Sequence, residues 1–116
     1  MVMDRIRGRI SVERADLGQV NLFDPNTETL AGTKTLVVTD KRGQFLDPGG
    51  SHRDVVLPAE AVSSGIIFVI CNMADAAENL VVKDDGGSTV STIAQNEMGM
   101  AICDGTSWKA GVMAQT

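Results

Sequence analysis

The chain has 116 residues, a formal net charge of −5 and 43% hydrophobic residues, with only 3% of the chain aromatic. That length makes one domain, whose folding removes roughly two-thirds of the unfolded surface from water. The acidic balance excludes a general nucleic-acid binder, whose footprint is basic, and no run approaches the ~20 apolar residues of a membrane span. Phe23, Phe45, Phe68 and Trp108 are the only aromatics, so core volume must come from Val, Ile, Leu, Met and Ala. A body with so lean a core gains by burying a second apolar face against copies of itself, and an oligomer is expected.

Met1–Gly18 is broken by charge at every second or third position, unlike a signal peptide, so synthesis in a reducing cytoplasm is expected. Arg5, Arg7, Arg9 and Arg14 outweigh Asp4, Glu13 and Asp16 there, and the acidic excess falls on the rest of the chain. Within Arg5–Val12 the arginines take one side of an extended strand, and Ile6, Gly8, Ile10 and Val12 take the other. Such an arm suits docking on a sheet edge of another chain or on an acidic surface. It suits equally an edge strand of the domain itself, with solvated arginines. Glu13–Leu17 fits one helical turn ending at Gly18. Asn21–Thr33 is polar and interrupted by Asp24-Pro25-Asn26, a loop in which Phe23 and Leu30 could reach the core. Residues 1–30 are therefore expected to be arm and connector, and residues 31–116 the body.

Thr35–Thr39 predicts a strand that turns at Asp40–Gly43 and returns through Gln44–Leu46 as a hairpin. Asp47-Pro48-Gly49-Gly50 stops the chain, and Asp54–Leu57 resumes a strand. Pro58 opens an Ala-rich helical turn closed by Gly65. From there, strands are predicted at Ile66–Cys71, Asn79–Lys83, Ser88–Ile93, Met98–Cys103 and Trp108–Val112, with a hairpin at Asp84–Gly87. The fold class is all-β: a sandwich or jelly roll of about eight short antiparallel strands, with an extended N-terminal arm.

Chemistry is hard to place. His52 is the single histidine, and its neighbours Ser51 and Asp54 cannot converge on it as a relay, so it reads as a solvated turn residue. Cys71 and Cys103 read as small buried hydrophobes, with a bridge between neighbouring strands as the alternative. Asp84-Asp85 and Asp104 are acidic turns without the spacing of a calcium loop, and turn chemistry accounts for both. No phosphate loop occurs. Trp108, the one tryptophan, is expected to close the end of the core rather than carry a sugar. No catalytic residue, cofactor or metal ligand is singled out, and an enzyme is not expected.

The elements Phe45-Leu46-Asp47-Pro48-Gly49-Gly50, then Val55-Val56-Leu57-Pro58, then Gly65–Asn72, and last Cys103-Asp104-Gly105-Thr106-Ser107-Trp108 form a pattern over roughly residues 33–112. It resembles a β-rich module of tailed-bacteriophage structural proteins, found in capsid cement or decoration proteins, head fibres and some tail fibres. At this size, the resemblance implies a cement protein: a homotrimer on the outer capsid surface of the virion, bound to the major capsid protein and steadying contacts between capsomers. The arm, through Arg5, Ile6, Arg7, Arg9, Ile10, Val12 and Arg14, would grip the shell or a neighbouring subunit. Neither nucleic acid nor membrane is an expected partner. A glycan- or receptor-binding module of a head or tail fibre is the alternative.

Overall fold

The structure, a computed structural model, describes residues 24–115. It is all-β, with two mixed sheets and one short 3-10 turn at Glu60–Val62. The strands are β1 (Asn26–Thr29), β2 (Lys34–Thr35), β3 (Gly43–Asp47), β4 (Arg53–Val56), β5 (Ile67–Asn72), β6 (Leu80–Lys83), β7 (Thr89–Ile93), β8 (Glu97–Cys103) and β9 (Trp108–Ala114). One sheet runs β1-β3-β5-β8-β9 and the other β2-β4-β6-β7.

Along the first six strands the chain alternates between the two sheets, and each return lays a strand parallel to the previous one. β1, β3 and β5 are parallel neighbours, as are β2, β4 and β6. A parallel pair needs a crossover of about a dozen residues or more, most often a helix. Here the crossover is a strand of the opposite sheet. Only the last part of the chain turns back on itself, with β7 antiparallel to β6 and β8 antiparallel to both β5 and β9. The expected arrangement of antiparallel strands therefore holds for β5–β8, β6–β7 and β8–β9 and is corrected elsewhere.

Two local expectations fail for identifiable reasons. Thr35–Thr39 does not pair with Gln44–Leu46, because β2 and β3 lie in different sheets. Leu36 goes into the core at 1% exposure while its N–H donates to Val56 O, which carries the chain along β4. The next residues close on themselves: the Asp40 carboxylate accepts the Val37 N–H at 2.8 Å, and the Arg42 guanidinium donates to the carbonyls of Val38 and Asp40. In the stretch expected to be loop, Asn26–Thr29 is an edge strand. No apolar alternation marks it. Polar contacts hold it instead, Asn26 Nδ2 donating to Gln44 Oε1 at 2.8 Å and Lys34 Nζ lying 2.9 Å from Glu28 Oε1. The chain thus joins the body before the boundary expected near residue 30.

The core takes side chains from both sheets. Leu46, Phe68 and Ile70 come from one, Val55, Leu80, Val82 and Ile93 from the other, and Leu30, Leu36 and Leu57 from the connections. Phe68 is fully buried between the Trp108 ring, whose centroid is 6.1 Å away, and the Arg42 guanidinium, 5.3 Å from its own centroid. Each such apolar side chain contributes about 1.5–3 kcal/mol by leaving water. The buried polar side chain of Asn72 spends both amide hydrogens on carbonyls, those of Glu78 and Ile93 at 2.8 and 2.9 Å, tying the end of β5 to the end of β7.

Candidate functional site

Because side chains alternate along a strand, each sheet has one face on the core and one outside. The two outer faces differ. On the four-stranded sheet the outward positions are Asp54, Val56, Val81, Lys83, Thr89 and Thr92, with Lys83 Nζ 3.1 Å from Asp54 Oδ2. That face is polar and internally paired.

The five-stranded sheet is turned the other way. The register aligns Phe45, Cys71, Met98 and Met113 in one row across β3, β5, β8 and β9. Val69, Met100 and Gly111 form the next row, and Ile67, Ile102 and Lys109 the one after. At the other end, the Met73 N–H donates to Leu46 O and extends the parallel register, bringing Met73 beside Asp47. Every methionine among the described residues, Met73, Met98, Met100 and Met113, lies on this face. Met73, Met100 and Met113 are 45–58% exposed. β8 shows the inversion most clearly: its inward residues Gly99, Ala101 and Cys103 are small and buried, while Met98, Met100 and Ile102 point out. Gly99 has no room for a side chain, since a Cβ there would stand 2.6 Å from Ile93 Cδ1.

Two shallow grooves mark the ends of the face, each of about 350 Å³. One lies among Met100, Ile102, Lys109, Gly111 and Met113, and the other among Thr27, Glu28, Thr29, Phe45, Asp47 and Met73, with Glu28 held by Lys34. In the outward rows of this sheet the charged side chains are Lys109, near one groove, and Asp47, near the other. Neither belongs to the close ion pairs between described residues, which join Lys34 to Glu28, Lys41 to Asp24 and Lys83 to Asp54, although Lys109 acts at longer range on Asp104. Beyond the rows, β9, seven residues long, is the last strand of its sheet among the described residues, and from Lys109 onward both its faces are exposed. Such an edge is a template for pairing with another chain.

The residues singled out in the sequence fall into two groups. Arg5, Ile6, Arg7, Arg9, Ile10, Val12 and Arg14, the Glu13–Leu17 turn and Phe23 lie outside the described residues. The others are structural. His52 is exposed, and its Nδ1 accepts the Asn79 N–H at 2.8 Å, which fastens one corner to another. Asp84 Oδ1 accepts from Gly86 and Ser88, and Asp104 Oδ1 from Thr106 and Ser107. The N–H groups of Ser107 and Thr106 hold the Asp104 carboxyl below its ordinary pKa. No cluster of three His, Cys, Asp or Glu able to hold a metal occurs among the described residues.

Cys71 and Cys103 are both buried and free. They lie on opposite faces of the sheet: Cys71 faces Met98 across β5–β8, and Cys103, past the other end of that pairing, faces Trp108 across β8–β9. A bridge between them is ruled out by that placement. Burial pushes the Cys71 thiol up, away from the reactive thiolate. Trp108 is 5% exposed, and its indole N–H donates to Pro58 O at 2.9 Å, so it offers no face to a sugar. No protein family, curated protein or solved structure matches the chain.

A second apolar face is expected from the lean core, but reading by residue type does not identify the residues that form it. Its signal lies in Glu97–Cys103, where large and small apolar residues alternate. The large ones are drawn to the core by habit of reading, whereas the core here has space only for the small ones.

Proposed function

We propose that this chain is a structural component of a tailed-bacteriophage virion, a cement protein bound as a homotrimer to the outer capsid surface. Its two sheets are taken as a sandwich; the parallel passes suit a jelly roll less. The observation that carries the proposal is the coupling of the motifs on which the resemblance rests. The Leu57-Pro58 motif and the Asp104–Trp108 motif are far apart in sequence, yet the Trp108 indole donates to Pro58 O. In the Asp47–Gly50 motif, Gly49 has φ +76° and packs where a Cβ would stand 2.5 Å from Leu30 O. These turns are corners of one body, which supports reading them together.

The physical role follows from mass action. A clip that binds only the assembled shell stabilises it, and three linked copies bind at high effective concentration. The arm residues Arg5, Arg7 and Arg9 supply salt-sensitive attraction to the acidic surface of the major capsid protein, and Ile6, Ile10 and Val12 supply apolar burial. Electron microscopy of shells mixed with the full chain and with a chain lacking Met1–Gly18 tests this. The full chain decorates the shell lattice and the truncated chain, still folded by circular dichroism, does not. Full occupancy by the truncated chain removes the arm from the account, and absence of the full chain from the shell removes the capsid.

A further inference from the structure

We infer that the outer face of the five-stranded sheet is where copies of this chain pack against one another, with Lys109 of one copy against Asp47 of the next. Of the capsid reading it needs only that the chain works in several copies. The face spans five strands about 4.8 Å apart and up to seven residues of about 3.4 Å. Its area is therefore on the order of 500 Å², and two such faces reach the ~1,000 Å² at which specific interfaces begin.

Its composition fits a protein partner. Methionine is enriched at interfaces and adapts to irregular surfaces, and charge is depleted at interface centres. Here the centre is Val69, Met98 and Met100, without charge. What selects a second copy is the placement of the two charges at the margins. Lys109 and Asp47 stand three strands and three rows apart, at diagonally opposite corners and roughly 25 Å from each other. A rotation axis perpendicular to that diagonal puts both corners at one height, on opposite sides of the axis. Each lysine then meets the next copy's aspartate, and no like charges meet. The pairing recurs at every interface of a closed ring; in a ring of three each interface takes about half of each face, so the three interfaces together bury on the order of 1,500 Å². The same rotation brings the groove beside Lys109 against the groove beside Asp47.

The test uses the full chain at about 10 μM, with mass read by light scattering and folding by circular dichroism. Wild type is multimeric. Lys109→Asp places two acids together and weakens self-association at least tenfold, and adding Asp47→Lys restores it. Asp47 also accepts the Gly49 N–H at 2.9 Å, so the swap can fail by unfolding. Met100→Asp then serves as the second probe, giving a folded monomer whose Met113 is oxidised by peroxide faster than in wild type. A monomeric wild type overturns the inference, as does a multimer unchanged by both Lys109→Asp and Met100→Asp. So does a chain lacking Met1–Gly18 that is monomeric with this face intact, because the arm would then be the occupant. Shell binding is read separately: a multimer that ignores shells supports this contact while ending the capsid account, and a monomeric wild type that decorates them ends this contact and the homotrimer while keeping the capsid location.

Discussion

Outside the four-stranded sheet, Asp54 and Lys83 pair among threonines and valines; outside the five-stranded sheet, four methionines stand in rows with Ile67 and Ile102. Both sheets cover the same core, and both follow the same alternation of side chains. The shared core does not require the difference; on the inference above, it comes from what each outer face meets. A polar face with its charges paired is complete in water. An apolar face of several hundred Å² stands at the upper end of what a monomer exposes, and such faces often mark contacts.

The largest effect belongs to the core the two faces share. Phe68→Ala is expected to cost about 3–5 kcal/mol in urea denaturation, with both sheets melting in one transition. Two separated transitions would mean that the faces belong to independent units. Asn72→Ala leaves the carbonyls of Glu78 and Ile93 without their amide partner, at a cost of about 2–3 kcal/mol. That amide ties β5 to β7, so hydrogen exchange should rise at the ends of both strands.

Smaller substitutions separate the faces themselves. Lys83→Ala breaks a partly exposed pair and should change stability by less than about 1 kcal/mol, leaving the mass in solution unchanged. A change of mass there would cancel the contrast. The smallest effect is one of pH, at the join between the sheets. Hydrogen bonds from Lys34 and Asn26 hold the Glu28 carboxyl below its ordinary value of 4.5. Because the unfolded chain binds that proton more readily, the contribution is present above about pH 4.5 and is lost as pH falls through the lowered value. Glu28→Gln should flatten this part of the acid-denaturation profile.

Much of the strand content was legible because short apolar runs are fenced by turn residues. Asp84–Gly87 announces the β6–β7 hairpin, whereas the helical turn expected to run to Gly65 is shorter, Glu60–Val62 capped at Ser63, with Gly65, at φ +82°, in the turn that follows. Which strands become neighbours was not legible. The parallel pairing of β3 with β5 depends on contacts across 25 or more residues, and nothing local distinguishes it from a hairpin. β1 escaped because its support is polar and comes from Gln44 and Lys34. The residues of the outer face escaped because outward methionines look like core until the register shows which side they take. The alternation expected over Arg5–Val12 lies outside the described residues.

The winding of the first six strands has a consequence for growth of the body. Each circuit of the chain adds one strand to both layers at once, so width increases only in whole circuits. A duplicated circuit, from the start of β3 to the start of β5, would lengthen the molecule while every neighbour kept its alignment. A duplication one residue short would turn each later strand inside out. The closing hairpins β6–β7 and β8–β9 act as the terminator, and a longer relative would be made by inserting circuits ahead of them.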